Sequence, residues 1–200
     1  QPRFQLLLNG VDVTDDVKDE VTFVDEPNNI SNLSFMLSGS EYIMSSADVV
    51  KLGDRVEFYG GTMGESLIEP TKENYKLFFY GHVKNISPDY ADTGLLSVSI
   101  EAIDTGYVAM KEKRKFSYPT ANAKVRSWAN VDKITVNEII EGIVVKELKM
   151  NLGTVLLPED NIFYTLKKPI KQAGINDWKF LIKLAKLNGC NVYTRTEENK

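Results

Sequence analysis

The nine residues LLSVSIEAI, at positions 95–103, give the clearest secondary-structure signal in this sequence. Apolar and polar side chains alternate along them, a period of two that is typical of a β-strand with one buried face. The predicted buried side carries Leu96, Val98, Ile100 and Ala102, and the opposite side carries Ser97, Ser99 and Glu101. The stretch therefore predicts one strand of a sheet that covers a hydrophobic core.

Shorter stretches of the same kind precede this strand and are separated by turn signals. Strands are predicted at Arg3–Leu8, Val21–Val24, Leu33–Leu37, Arg55–Tyr59 and Lys76–Ile86. Turns or loops are predicted at Asn9-Gly10, Asn28–Asn32, Asp48–Asp54 and Ser87–Asp89. Regularly spaced short strands with such connections indicate an antiparallel sandwich or barrel.

The character of the sequence changes after Ile103. A basic run at Lys111–Lys115 is followed by a polar connector at Phe116–Asn122. Thr135–Glu138 then has the sequence of a capping box, in which a threonine and a glutamate three residues later satisfy each other's backbone N–H groups. Apolar residues at helical spacing follow it, so a helix is predicted to begin there.

A second helix is predicted to begin at Asn176 or Asp177 and to end at Asn188-Gly189, a typical helix stop. A final strand is predicted at Cys190–Thr196. A strand needs a pairing partner, and only polar residues follow this one. We therefore expect the sequence to be the N-terminal part of a longer gene product.

The composition is that of a folded protein of 200 residues and 22.5 kDa, which allows one large or two small domains. A hydrophobic share of 42% is enough for a real core and excludes a disordered chain. A net charge of −4 makes specific nucleic-acid binding an unfavoured function. One Cys and one His exclude an intrachain disulfide and a zinc cluster, and no apolar run reaches the ~18 residues of a membrane span.

Two segments have the composition of ligand-binding loops without the required spacing. Gly60–Gly64 is followed by Glu65 instead of the Lys-Ser/Thr pair of a phosphate-binding loop, which favours a hairpin loop. An acidic cluster lacks the central glycine and the alternating ligands of a calcium loop, which favours a solvated turn over a metal site. Its members are Asp12, Asp15, Asp16, Asp19 and Glu20.

The side chains most often used in catalysis are scarce and isolated. His82 lies on a predicted strand among aromatic residues, with no nucleophile motif nearby in the sequence. Cys190 has no second histidine to activate it, and no carboxylate pair is marked by its spacing. The sequence therefore predicts no catalytic residues.

Two groups of basic residues are candidates either for contact with an acidic partner surface or for simple solvated faces. The first and denser group comprises Lys111, Lys113, Arg114 and Lys115. The second group, on the second predicted helix, comprises Lys179, Lys183 and Lys186. In that helix, Trp178 and Phe180 are expected to be core residues.

The order of these features resembles the late control protein D family, the baseplate hub proteins of contractile phage tails and related injection machines. The most specific match is GINDWKFLIKLAKLNG at Gly174–Gly189, which is similar to the family's helix pattern "sDw-fL-rLA-r-G". Weaker matches lie at Asp12–Asp16, Val21–Glu26, Leu33–Leu37, Leu52–Phe58, Phe79–Val83 and Leu95–Asp104. Together they span nearly the whole chain.

The resemblance implies a mainly β fold with an α+β part. Residues 1–106 resemble a tail-tube-like antiparallel β-barrel, the first hub domain, and residues 107–200 resemble the start of an inserted α+β domain. Three copies are expected to form a homotrimeric, pseudo-six-fold ring that joins the hexameric tail tube to the trimeric spike. Expected partners are therefore other copies of the chain, the tail tube protein, the spike protein and other baseplate proteins.

The same resemblance implies a virion tail baseplate location and assembly in the host cytoplasm. It implies no enzyme activity, no catalytic, cofactor-binding or metal-binding residues, and no cofactor. Two alternatives remain open. One is a carbohydrate- or receptor-binding β-module that uses exposed aromatics such as Tyr59, Tyr75 or Tyr80, and the other is a cell-wall hydrolase that uses a carboxylate.

Overall fold

The computed structural model describes residues 4–38, 50–61, 75–90, 96–121, 126–157 and 162–194. The chain divides into two compact units. The first unit comprises the described residues up to Thr105 together with the end of the chain from Tyr193, and the second runs from Gly106 to Val192. Strands account for 46% and helices for 23% of the structure, so the predicted β-rich α+β class is confirmed.

The first unit is built on one antiparallel sheet of seven strands. The strands are β1 (Phe4–Leu8), β2 (Val11–Asp12), β3 (Val17–Val24), β4 (Asn32–Ser38), β5 (Arg55–Gly60), β6 (Lys76–Tyr90) and β7 (Leu96–Asp104). Their order across the sheet is β2-β1-β5-β6-β7-β4-β3, and the sheet curls into a half-barrel. The predicted antiparallel β architecture is therefore present.

The concave core of this unit is formed by one face of the sheet, as the alternating pattern predicts. Leu33, Phe35 and Leu37 of β4 lie opposite Ala102, Ile100 and Val98 of β7, and all six side chains are buried. Burying each side chain of this kind stabilises the fold by about 1.5–3 kcal/mol, so this face holds the two strands in register. The other face of both strands carries mostly polar residues.

The turn between β1 and β2 shows why the sequence places Asn9-Gly10 there. Both residues have positive φ, 51° for Asn9 and 85° for Gly10, and Leu8 pairs directly with Val11. This is the conformation of a two-residue type I′ hairpin, which asparagine and glycine adopt at low cost. The predicted tight turn is confirmed.

The predicted turn at Ser87–Asp89 is wrong, because β6 continues through it. Ser87 and Pro88 pair with Ser99 and Val98 of β7. Beyond His82, β6 has no pairing with β5, so the missing N–H of Pro88 breaks no hydrogen bond on that side. A proline is compatible with a strand that is paired on one side only.

The second unit contains short strands and two α-helices. Its elements are β8 (Lys113–Tyr118), β9 (Lys133–Thr135), α1 (Val136–Glu141), β10 (Phe163–Thr165), β11 (Ile170–Asn176) and α2 (Asp177–Leu187). The strands form two antiparallel pairs, β8 with β11 and β9 with β10. A π-helical turn, Gly142–Glu147, extends α1, and Ser127–Ala129 is a 3-10 helix. Two further 3-10 helices are Thr14–Asp16, in the first unit, and Thr105–Met110, which begins at the last residue of the first unit before its chain continues into the second.

Both helix starts follow the sequence signals. The Thr135 hydroxyl accepts the N–H of Glu138 at 3.2 Å, while the Glu138 carboxylate accepts the N–H of Thr135 at 2.7 Å. At the second helix, the Asn176 side chain accepts the N–H of Lys179 at 2.8 Å, and the helix ends at Asn188. The capping box and the predicted bounds of α2 are therefore confirmed. None of the helices in the described ranges is long and apolar enough to cross a membrane.

Two expectations for the second unit are wrong. The predicted connector begins as a strand, because Phe116 and Tyr118 belong to β8 and pair with β11, whose polar sequence IKQAGIN carries no strand signal. The predicted strand at Cys190–Thr196 does not form over Cys190–Thr194, and its last two residues lie outside the described ranges. A strand requires a neighbour to satisfy its backbone groups, and local sequence does not supply one.

Candidate functional site

His82 anchors a turn of the first unit. Its Nδ1 atom lies 3.1 Å from the carbonyl oxygen of Gly53, and its ring meets Tyr80 edge-on at 6.2 Å. The same turn is held by a bond from the N–H of Gly53 to the carbonyl of Val83, at 2.8 Å. These contacts give His82 a structural role at the start of β5.

One member of the acidic cluster, Asp12, stabilises a local turn. The Asp12 carboxylate accepts hydrogen bonds from Gln5 at 2.8 Å and from the N–H of Thr14 at 3.1 Å, which shapes the turn after β2. The remaining members lie around the first part of β3. In the described part of the chain, no three His, Cys, Asp or Glu side chains are arranged to hold a metal ion.

The structure describes Gly60 and Gly61 of the glycine stretch, and it also describes Cys190. Gly60 is the last residue of β5, and a Cβ there would meet the ring of Phe78 at 2.6 Å. The prediction of a loop falls mostly on residues 62–64, which lie outside the described ranges. The Cys190 thiol lies 3.2 Å from the carbonyl oxygen of Leu156 and 3.4 Å from that of Asn188.

The tyrosines of the carbohydrate-binding alternative are half-buried. The Tyr59 hydroxyl donates to the Glu57 carboxylate at 2.6 Å, and Glu57 lies directly opposite Tyr80 on the neighbouring strand. Tyr59 and Tyr80 therefore share the polar face of the sheet, and Tyr75 lies just before β6. Stacking on a sugar requires an exposed ring face, and these three rings are each partly buried.

The structure places two lysines of the first basic group beside a lysine of the neighbouring strand. Lys115 lies opposite Ala173 and Lys171 lies opposite Ser117, so both lysines project from the same face of the β8–β11 pair. Lys183 of α2 donates from Nζ to the carbonyl oxygen of Lys171 at 3.2 Å. Together with Lys113, also on that face of β8, Lys115 and Lys171 form what we call the basic face.

A shallow open groove runs along this face, lined by Lys115, Ser117, Lys171 and Ala173 among others. The other members of the basic run have separate contacts. Arg114 points to the opposite side of β8 and binds Glu112 at 2.8 Å, and Lys111 lies over the ring of Tyr107 at 4.6 Å. Sequence reasoning singled out Lys113 and Lys115 but not Lys171, which the pairing of β8 with β11 places beside them.

A buried polar network beneath the basic face was missed by sequence reasoning. Arg126, whose side chain is fully buried, donates to both carboxylate oxygens of Asp177, at 2.8 and 2.9 Å. Gln172 donates to the same carboxylate at 2.9 Å, and Tyr118 bonds both Arg126 and Gln172. Only Asp177 carried a signal, as part of the second-helix motif, because the pairing joins residues 51 positions apart.

The aromatic residues of α2 lie in the core, as predicted. Phe180 is fully buried and stacks on Tyr118, with ring centroids 5.2 Å apart. Trp178 is 5% exposed. Neither ring forms a ligand platform, and the helix packs on the β8–β11 pair through this cluster.

A scan of protein-family models and a search of curated protein sequences gave no match. Solved structures do share the fold. One is the E. coli c3393 protein, a component of the type VI secretion system with structural similarity to the T4 bacteriophage tail proteins gp27 and gp5. It matches with a TM-score of 0.53 and 11% identity over 92% of this chain and 43% of its own.

Two further structures are tail proteins. The tail protein from Neisseria meningitidis MC58 matches with a TM-score of 0.58 and 10% identity, over 96% of this chain and 47% of its own. The prophage tail protein gp18 from Listeria monocytogenes EGD-e matches with a TM-score of 0.52 and 12% identity, over 94% of this chain and 46% of its own. The chain thus spans less than half the length of these proteins and has the fold of that part of them.

Proposed function

We propose that this chain is a structural protein of a phage tail or a related contractile injection system. The observation that carries the proposal is the fold, which matches solved tail and type VI secretion proteins over 92–96% of the chain and therefore across both units. Fold alone does not define a function. Here two of the three solved structures are tail proteins, and the third is a type VI secretion component with structural similarity to phage tail proteins. The sequence motifs resemble the same class of protein.

Within that class we propose the baseplate hub role of the late control protein D family. In this proposal residues 1–106 form the first tube-like domain and residues 107–200 belong to the inserted α+β domain. Three copies form a pseudo-six-fold ring between the hexameric tail tube and the trimeric spike, in contact with other baseplate proteins. The chain carries no catalytic step in this proposal, and its work is to bind neighbours in a fixed geometry.

The shape of the first unit supports a role in a ring. In the described ranges, the outer strands β2 and β3 are each paired on one side only. Open strand edges bind other chains readily, and ring assembly covers them in a closed, ordered way. A contact repeated around a ring that closes by rotation also stabilises the whole assembly, even when each contact is modest.

Localisation on assembled tails tests this proposal directly. Gold-labelled antibody against the chain, imaged by electron microscopy, is expected at the single end of the tail tube that carries the spike. Label along the whole tube would indicate a tube subunit, and unlabelled tails would overturn the tail role. Glycan binding by the purified chain at micromolar concentration, together with unlabelled tails, would favour the carbohydrate-binding alternative.

A further inference from the structure

Positive charge is concentrated in three neighbouring elements of an otherwise acidic chain. Strands β8 and β11 and helix α2 contain seven lysines and arginines and a single carboxylate, Asp177. That carboxylate is 4% exposed and is neutralised by Arg126. The whole chain has a net charge of −4, so the residues outside these three elements together carry a net charge more negative than −4.

The lysines of the basic face are exposed and are not neutralised by nearby carboxylates in the described ranges. Lys113, Lys115 and Lys171 are exposed. In the described ranges none of these three ammonium groups lies within ion-pair distance of a carboxylate. The nearest acidic residue along the chain, Glu112, is bound by Arg114. A row of unpaired lysines on a groove is a surface that attracts carboxylates or phosphates.

The same chain carries a complementary surface. The segment Asp12–Glu20 contains five carboxylates and one lysine, and we call it the acidic segment. Asp15, Asp19 and Glu20 are exposed and form no ion pair in the described part of the chain. Asp19 has a φ of 65° at an irregularity in β3, where three residues stand opposite the single Phe35 of β4. A second shallow groove is lined by Asp19 and Glu20 together with Lys18, so its charged lining is net acidic.

We propose that the basic face of one copy of this chain binds the acidic segment of a second copy. The two surfaces differ, so the contact is head-to-tail, and a rotation that closes makes its repetition a ring. This inference rests on the proposed hub function and names the contact that would hold neighbouring copies. Complementary charge sets the register and the rate of such association and is screened by salt over about 10 Å at 0.1 M ionic strength.

A charge-swap experiment tests the contact. The basic-reversed variant is Lys115→Glu with Lys171→Glu, and the acid-reversed variant is Asp15→Lys with Glu20→Lys. The swapped chain carries all four changes. The matched control is Lys167→Glu with Lys168→Glu, which makes the same charge change at two exposed lysines outside β8, β11 and α2. Tryptophan fluorescence and circular dichroism confirm that each variant is folded.

Sedimentation velocity at micromolar concentration measures self-association. We expect wild-type association in about 0.05 M salt that weakens at least about tenfold in about 0.5 M salt. We expect a similar loss in each reversed variant, recovery in the swapped chain and no change in the control. A wild-type chain that stays monomeric, or reversed variants that associate like the wild type, would overturn the proposal. So would a swapped chain that does not recover.

Three further outcomes would show which part of the proposal fails. Binding of duplex DNA that is lost in the basic-reversed variant, without self-association, would assign the basic face to phosphates and overturn the contact. If the antibody label lies at the spike end of tails but the charge swap fails, the contact is wrong and the hub role stands. If the swap succeeds and tails are unlabelled, the contact stands and the tail role fails.

Discussion

The guanidinium of Arg126 donates from one nitrogen, Nη2, to both carboxylate oxygens of Asp177, at 2.8 and 2.9 Å. The two side chains are 0% and 4% exposed. Asp177 is the first residue of α2, so the bond ties the helix start to the segment that precedes Ser127. A buried charge is tolerated only with a partner of this kind.

Removing the carboxylate is therefore expected to destabilise the second unit strongly. Asp177→Asn leaves the Arg126 charge buried without its main partner, which costs about 3–5 kcal/mol of unfolding free energy. Both tryptophans of the chain, Trp128 and Trp178, lie in the second unit, so their fluorescence during urea unfolding reports on that unit. The matched control is Asp132→Asn, an exposed carboxylate of the same unit, with an expected change within about 0.5 kcal/mol.

A double variant separates loss of the pair from loss of packing. Arg126→Met with Asp177→Leu removes both charges, and it is expected to be more stable than Asp177→Asn alone because no charge stays buried. If Asp177→Asn and the wild type unfold at the same urea concentration, the ion pair does not stabilise the start of α2.

Removing the cap of α1 is expected to have a smaller effect. Thr135→Ala leaves the N–H of Glu138 without its acceptor, which costs about 1 kcal/mol. Urea unfolding followed by tryptophan fluorescence measures the change. Thr154→Ala is the control, since Thr154 is exposed and outside any helix. Equal stability of the two variants would contradict a role for the cap.

The capping box also makes stability depend on pH. Hydrogen bonds from the Thr135 N–H and hydroxyl hold the pKa of Glu138 below its ordinary value of 4.5. Because folding lowers this pKa, the bonds contribute stability above about pH 4.5, and that contribution is lost as the pH falls through the folded-state pKa. The urea midpoint of the wild type is therefore expected to exceed that of Glu138→Gln at pH 6, and the difference to shrink on acidification.

Glu141→Gln is the control for this pH dependence. It removes the same charge from an exposed position of the same helix without touching the capping box. Its difference from the wild type is expected to change less over the same pH range. A Glu138→Gln difference that stays constant down to about pH 3 would contradict the assignment.

Replacing Gly81 with a larger residue is expected to destabilise the first unit. A Cβ there would meet the backbone oxygen of Ile103 on the neighbouring strand and the ring of Phe79 at 2.6 Å. Backbone cannot move away as a flexible side chain can, so Gly81→Ala is expected to cost about 3 kcal/mol. Hydrogen exchange of peptides from β6 and β7 measures the loss. Gly153→Ala, where nothing lies within 4 Å, is expected to leave that exchange unchanged.

Sequence reasoning succeeded where the signal is local. The alternation in β7, the Asn9-Gly10 turn and the two helix caps each depend on residues within a few positions of one another, and each was found. It failed at β11, because a strand of Lys, Gln, Gly and Asn exists only through its pairing with β8. It also failed at Ser87–Asp89, where the partner strand overrides a turn-like composition.

The same distinction between local and long-range information applies to the candidate surfaces. The sequence by itself determined the β-rich α+β class, the core face of the sheet, the helix starts and the presence of basic and acidic groups. These follow from periodicity, capping and composition, which are properties of neighbouring residues.

Only the tertiary structure decided which distant residues meet. It paired Arg126 with Asp177, 51 positions away, and placed Lys115 and Lys171 on one face of the β8–β11 pair. Such contacts depend on which strands pair and in which register. The pairing is determined by the combined burial of core residues from many parts of the chain, so it cannot be predicted from any single stretch of sequence.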